Sequence, residues 1–368
     1  MIVKSLNLLN FRNYANQLIE FSDNYNIIYG ENGQGKTNIV ESLFFCSSAR
    51  SHRTSKDIEM IKDGSEFSRI QLLIDKENNN QNIDIILTTN QRKKIKINDI
   101  PQKKVGSLMG CLNTILFSPE DLMIIKDGPS GRRKFIDISI SQLKPSYFSD
   151  LINYARVVQQ KNMLLKNIEN FKNKSDMIQV WNENMSLYGS KIIKNRSDYV
   201  KNLLSYAQEN HFKLTGKLEK LNIIYNPSIV CDANSNISEI KEIFLRVLND
   251  IRDNEIRRGV CLVGPQRDDY SFYLNDYNIR IYGSQGQQRT AILSAKLAEI
   301  DIVKNDIGEN PVLLLDDVMS ELDSGRRNYL LQSLTNVQTI ITCTDKTIYE
   351  GNLTGDSKFF HIKNGKVV

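Results

Sequence analysis

The sequence predicts an α/β fold: mixed β-sheets around one phosphate-loop helix, with a compact helical lobe inserted between the two parts of the sheet-bearing lobe. Three observations carry this expectation. A complete G-x-x-x-x-G-K-[ST] string, Gly30-Glu31-Asn32-Gly33-Gln34-Gly35-Lys36-Thr37, lies between a strand-like apolar run and a stretch of helical spacing. From Ser146 the period of the apolar residues changes from two to between three and four. Far downstream, the wholly apolar run of residues 312–315 suits a central parallel strand and ends in two aspartates. At ~150 residues per domain, 368 residues hold about two domains. The expected division is a lobe of residues 1–115 and 290–368 and a mostly helical lobe of residues 116–289.

Element by element, the early pattern alternates at residues 2–8, 27–29, 70–74, 83–87 and 95–97. Asn78-Asn79-Asn80 and Thr89-Asn90-Gln91 separate the later runs as turns of successive antiparallel hairpins. The helix beginning at Lys36 puts Ile39, Val40, Leu43 and Phe44 on its buried side. Tyr147, Leu151, Tyr154, Val158, Leu165 and Ile168 then follow helical spacing, and Val180, Trp181, Tyr188, Ile192 and Tyr199 continue it. Residues 145–211 therefore read as two antiparallel helices whose aromatic stripe is core rather than a base-stacking platform. No long heptad array follows, which speaks against an extended coiled-coil arm.

Ser238 is the expected N-cap of a helix over residues 239–254. Residues 272–274 and 279–282 are expected as strands on either side of a turn, with a helix over 287–304 buried through Leu293, Leu297 and Ile300, and a strand at 339–342. Asn364-Gly365 supplies the positive φ angles of a closing hairpin.

Composition removes several classes. Hydrophobic residues at 40% and charged residues at 25% are ordinary globular values, against disorder, collagen-like repeats and disulfide scaffolds. No run of ~18 apolar residues occurs, and the first residues lack a basic stretch followed by an apolar block, so a cytoplasmic protein with no membrane partner is expected. The 5 cysteines form no C-x-x-C pair, which disfavours structural zinc and suggests reduced thiols. A net charge of +5 permits a nucleic-acid partner only if the basic residues cluster.

Each chemical motif has a physical basis. Glycines let successive backbone N–H groups at Gly30 to Thr37 turn inward around phosphate oxygens, and the helix from Lys36 adds its positive dipole end. In this motif Lys36 reaches the β and γ phosphates of ATP and Thr37 ligates Mg²⁺. Adjacent carboxylates closing a buried apolar run need compensation by a cation or hydrogen bonds, so Asp316 is expected to hold Mg²⁺ and Asp317 to act as base toward a water. Ser284, Gly286 and Gln287 open a helix directly after Gly283 and form a second candidate anion site.

The order of phosphate loop, Gly-Ser segment and acidic strand resembles ABC-type ATPases. The detailed strings resemble the RecF family of bacterial recombinational repair proteins: Asn10-Phe11-Arg12-Asn13-Tyr14, the segment from Gly30 to Thr37, Gly264-Pro265 with Arg267-Asp268-Asp269, Tyr282 to Thr290, and Leu315-Asp316-Asp317 with Ser320-Glu321-Leu322-Asp323. The resemblance covers nearly the whole chain. It implies an ABC-type ATPase head that hydrolyses ATP weakly, under stimulation by DNA. It also implies an ATP-dependent homodimer in which the Gly-Ser signature of each copy covers the nucleotide of the other. The expected partners are double-stranded DNA and single-strand/double-strand junctions, with RecO and RecR assisting the loading of RecA onto strand coated by single-strand-binding protein. Two positions depart from the pattern: Gln266 stands where the family leads one to expect histidine, and Thr344-Asp345 offers no switch histidine after its strand. Against ABC enzymes at large, Asp317 replaces a glutamate, which points to slow hydrolysis.

Two basic clusters are candidates for phosphate contact with DNA: Arg50, Arg53 and Lys56 after the phosphate-loop helix, and Arg132, Arg133 and Lys134 after Gly131. A transporter-associated ATPase subunit is the competing assignment. It normally carries the switch histidine and needs a surface for membrane partners.

Overall fold

The computed structural model describes residues 1–77, 79–167, 174–216, 218–334, 336–347, 349, 353 and 355–368. In chain order its elements begin with β1 (Ile2–Phe11), β2 (Tyr14–Glu20), β3 (Tyr25–Tyr29), α1 (Lys36–Ser48), β4 (Phe67–Asp75), β5 (Gln81–Thr88), β6 (Lys94–Ile97), β7 (Ile100–Gln102) and β8 (Thr114–Phe117). There follow α2 (Met123–Lys126), α3 (Pro129–Leu143), α4 (Pro145–Lys166), α5 (Lys174–Leu214), β9 (Leu221–Asn226), α6 (Ile237–Asp250), α7 (Arg252–Arg258), β10 (Asp269–Leu274), β11 (Tyr277–Asn278), α8 (Ile279–Tyr282) and α9 (Gln285–Ile307). The chain ends with β12 (Val312–Asp316), α10 (Ser324–Ser333), β13 (Thr339–Cys343), β14 (Ser357–Lys363) and β15 (Lys366–Val367). Two compact units result, Met1–Asp121 with Lys296–Val368, and Leu122–Ala295.

The first unit holds two six-stranded sheets. One, ordered β2-β1-β4-β5-β6-β7, is antiparallel throughout. Ile70, Leu72 and Ile74 on β4 and Ile83, Ile85 and Leu87 on β5 are buried, while their neighbours face outward, as expected of a sheet with one solvated face. The other is ordered β15-β14-β3-β13-β12-β8, and its strands β14, β3, β13, β12 and β8 run parallel. Strands β12 and β13 are buried at every residue, which suits the apolar run Val312 to Leu315 and the Ile340-Ile341 pair at their centres. Residues 27–29, spaced like the hairpin strands in the sequence, belong to this parallel sheet. Helix α1 is buried on nearly all sides, with Ile39, Val40, Leu43, Phe45 and Cys46 at 0% exposure, and it ends where Ala49 takes φ 56°.

The second unit is mostly helical. Helices α4 and α5 pack along one another, and α5 also packs on α6 and β9. Tyr147, Tyr154, Leu165, Ile192 and Tyr199 of the stripe are buried, whereas Leu151, Val158, Trp181 and Tyr188 are half-buried and Val180 is exposed, so the stripe is core only in part. Ile168 in that stripe and Asn78 in the first turn lie outside the described residues. Arg196 is enclosed between Asp137 and Asp268, at 2.9 and 2.8 Å. The buried pair Lys161–Glu255 closes at 2.6 Å.

Three local expectations are corrected. Helix α6 starts from Asn236, not Ser238: Asn236 Oδ1 accepts from Glu239 N at 3.0 Å and Asn236 N donates to the Glu239 carboxylate at 2.9 Å, a reciprocal cap that Ser238 has no comparable partner to build. The segment Ile279–Tyr282 is a short helix rather than a strand, since Asn278 accepts from Arg280 N and only Ile279 is buried. Strands β2, β8 and β9 have no counterpart among the expected elements; β2 buries only Tyr14 and Ile19 and so lacks a readable alternation. Among the described residues, no helix is long and apolar enough to cross a membrane.

Candidate nucleotide-binding site

Register places the acidic strand end beside the phosphate loop. Asp316 on β12 lies opposite Thr342 on β13, and Thr342 lies opposite Ile28 on β3. Because these strands are parallel, the loop that leaves β3 and the carboxylates that end β12 emerge at the same edge, where α/β sheets place their ligands.

The loop itself is held from behind. Asn13 Nδ2 donates to the Gln34 carbonyl at 2.7 Å, and Asn38 Nδ2 donates to Asn13 Oδ1 at 2.8 Å. The Tyr14 hydroxyl donates to the Gly35 carbonyl at 3.1 Å. From the C-terminal hairpin, Gly365 N donates to the Gln34 carbonyl and Asn364 N to Gln34 Oε1, at 3.2 and 2.6 Å. Two glycines are obligatory here. A Cβ on Gly30, at φ 144°, would lie 2.5 Å from the Ile362 carbonyl oxygen, and one on Gly35, at φ 117°, would meet the Asn13 amide at the same distance. No side chain caps the start of α1; Asn38 N donates to the Gly35 carbonyl at 3.0 Å, and the N–H groups of Lys36 and Thr37 point to the N-terminal end where an anion can bind.

An open cavity of about 260 Å³ lies in front of the loop, lined by Asn32, Gly33, Gly35, Lys36, Thr37, Asn38, Arg53, Asp317 and Thr342. Lys36 Nζ donates to the carbonyls of Gly30 and Glu31 at 2.7 and 2.8 Å. Burial pulls the Lys36 pKa below that of an ordinary lysine despite the negative charge of Asp317 close by. Thr37 Oγ1 and Thr342 Oγ1 both donate to Asp316 Oδ1, at 2.9 and 2.6 Å. Burial pushes the Asp316 pKa up against those two hydrogen bonds, and the charge of Asp317 adds to the rise. A hydroxyl and a carboxylate in contact form a hard-oxygen pair, which suits Mg²⁺ with most of its waters retained. Asp317 stands at φ 53°, with its N–H on Thr342 Oγ1 at 3.0 Å, so the chain turns sharply and presents its carboxylate to the cavity.

In the second unit, Ser284 and Gln287 cap α9 reciprocally. Ser284 N donates to Gln287 Oε1 at 2.9 Å, and Ser284 Oγ accepts from Gln287 N at 3.2 Å. Gln287 Nε2 donates to Glu219 at 2.8 Å, which leaves the exposed Ser284 hydroxyl its own proton to donate. An S-x-x-Q spacing is the sequence sign of such a cap, which the reading of this segment as an anion site does not use. Gln266 Oε1 accepts from the Tyr154 hydroxyl, and its Nε2 donates to the Val263 carbonyl at 2.8 Å, a packing role that needs no titrating side chain.

The basic clusters divide. Arg132 is not available to DNA: it is 3% exposed, grips Asp269 with two bonds at 2.7 and 3.0 Å and also donates to the Ile124, Ile125 and Asp127 carbonyls. Arg133, half-buried, donates to the Asp268 carbonyl at 2.7 Å. Arg53 lines the cavity and bonds Asn38 Oδ1 and Glu41 Oε2 at 2.8 and 3.3 Å, so it stands with the phosphate loop rather than on a separate face. Arg50, Lys56 and Lys134 are exposed, and Lys56 faces Glu59 at 3.8 Å.

Residues 2–364 match the family described as RecF/RecN/SMC N terminal domain. The DNA replication and repair protein RecF of Acetivibrio thermocellus is 51% identical over 367 residues, which cover 100% of this chain and 99% of that one. Its counterpart in Ruminiclostridium cellulolyticum is 47% identical over 368 residues, with 100% and 99% covered. A solved structure of the recombination mediator protein RecF-ATP in the RecFOR pathway superimposes with a TM-score of 0.93 at 37% identity, covering 100% of this chain and 97% of that one. An SmcHead bound to the C-winged helix domain of ScpA shares the fold at 15% identity, with a TM-score of 0.58. Fold and loop together define an ATPase head of the ABC/SMC class. Within that class, the chain belongs to the RecF family of DNA replication and repair proteins.

Proposed function

We propose that this chain is an ATP-driven clamp on DNA that serves recombinational repair and replication-fork maintenance. The observation that carries the ATP part is the meeting of Thr37 and Asp316 at 2.9 Å beside a loop whose backbone is fixed from behind. The likeness to a RecF-ATP structure at 37% identity supports it. The backbone N–H groups between Gly30 and Thr37 take the phosphates, and Lys36 leaves the Gly30 and Glu31 carbonyls to reach the β and γ phosphates. Thr37 and Asp316 hold Mg²⁺, which supplies charge neutralisation at the phosphates. Asp317 orients the attacking water, and its short side chain suits slow turnover. Arg53 joins the nucleotide contacts.

Two copies sandwich two nucleotides, and the Ser284 hydroxyl and Gly286 N–H of each donate to the γ-phosphate held by the other. ATP thereby stabilises the dimer by mass action, and hydrolysis loosens it. The dimer binds double-stranded DNA and single-strand/double-strand junctions, and with RecO and RecR it promotes RecA loading. The family membership supports this biological setting. Sedimentation with and without ATP tests the clamp. Ser284→Arg should bind nucleotide yet stay monomeric, and Asp317→Asn should accumulate the ATP dimer. Identical monomers in every condition would refute it.

A further inference from the structure

The segment 92–104 carries Arg92, Lys93, Lys94, Lys96, Lys103 and Lys104 against the single acid Asp99, so it alone matches the +5 excess of the entire chain. Five of these six, all but Lys93, are exposed. Lys93 is committed elsewhere: it donates to the Ala49 carbonyl at 2.8 Å, pairs with Asp57 at 3.0 Å and lies over the Phe45 ring. Among the described residues, none of the other five forms an ion pair.

Lysines on sheets commonly guard an unpaired edge, but that role does not fit here. Strand β6, which carries Lys94 and Lys96, is hydrogen-bonded on both sides, to β5 and β7. The edge strand β7 is only 3 residues long, holds Pro101 and has no lysine. Nor does the sheet neutralise the pair. Lys94 lies opposite Ile86, and Lys96 lies opposite Asp84, whose carboxylate is already gripped twice by Arg69 at 2.9 and 2.8 Å. The two lysines share the outward face of β6, two residues and therefore roughly 6.6 Å apart, far enough for each to meet a separate phosphate of one strand.

We propose that β6 and its flanking turns form a docking surface for the sugar-phosphate backbone of double-stranded DNA. Lys94 and Lys96 contact neighbouring phosphates, and Arg92, Lys103 and Lys104 extend the track. The inference rests on the DNA binding proposed above and names where it occurs. Being purely electrostatic, the interaction is indifferent to base sequence.

The test is binding of the full-length protein with ATP to two fluorescent duplexes of unrelated sequence across a salt series. Lys94→Gln/Lys96→Gln should weaken both equally and flatten the slope of log affinity against log salt by about two, near 0.9 for each phosphate that is no longer neutralised. Nucleotide affinity and the melting temperature should not change. A second variant, Arg92→Gln/Lys103→Gln/Lys104→Gln, should act in the same direction from the turns. If the parent binds duplex and both variants bind it with the same affinity and slope, the surface is wrong while the DNA function stands. If the parent itself binds no duplex at low salt, both are wrong. Weakened capture of poly-glutamate with unaltered duplex binding would overturn the assignment in favour of an acidic protein partner.

Discussion

Thr37 Oγ1 donates to Asp316 Oδ1 at 2.9 Å across a sequence separation of 279 residues. The contact is made possible by β13, which lies between β3, the strand that leads into the phosphate loop, and β12, which bears Asp316, and which contributes the second donor, Thr342. Two hydroxyls thus hold a carboxylate that is only 5% exposed and whose charge is opposed by burial. A cation held there, as proposed above, would offset that opposition.

From this relationship, Asp316→Asn should leave the nucleotide-free protein at least as stable as the parent, since the amide oxygen can still accept from Thr37 and Thr342. ATP with Mg²⁺ should stabilise the variant much less. A tenfold loss of affinity removes about 1.4 kcal/mol of ligand stabilisation. Thermal melting with and without ATP and Mg²⁺ measures both effects. An equal ATP-induced shift in parent and variant would disprove the role of Asp316.

Arg132→Gln should act on folding and not on DNA. The side chain is buried and joined to Asp269 and three carbonyls, and removing one member of such a pair costs about 3–5 kcal/mol. Urea unfolding should show that loss, while duplex binding by the folded variant keeps the parent's salt slope. A flattened slope with intact stability would restore Arg132 to the DNA surface.

What the sequence made legible follows from how local each signal is. The string from Gly30 to Thr37, the buried run before Asp316 and the Asn364-Gly365 turn are each written within a few residues, and each forms as expected. The support of the loop by Asn13, Tyr14 and the C-terminal hairpin is not local: it depends on residues more than 300 positions apart meeting at Gln34. The basic residues divided for the same reason. Arg132 and Arg53 look like surface charges in a one-dimensional string, and only the fold shows that Asp269 and Glu41 claim them. Lys94 and Lys96 are the opposite case: the run at 92–104 is plain in the sequence, but its freedom from partners needs the sheet register.

Glu41 gives the last prediction, a pH dependence. On α1 it is fully buried, yet it receives Arg12 through two bonds at 2.9 and 2.7 Å, the Ser51 hydroxyl, and Arg53 at 3.3 Å. Burial alone would raise its pKa, but the hydrogen bonds from Arg12 and Ser51 and the charges of the two arginines prevail and hold it below the ordinary 4.5. The folded protein therefore binds fewer protons at Glu41 than the unfolded chain does. The stability this supplies is complete above the unfolded pKa and is lost as pH falls through the depressed folded value. Glu41→Gln should cost about 2 kcal/mol at pH 7, the scale of charge-assisted hydrogen bonds. In urea titrations that difference should persist down to about pH 5 and shrink as the pH is lowered beyond 4.5. A gap between parent and variant that stays constant down to pH 3 would show that Glu41 contributes by shape and not by charge.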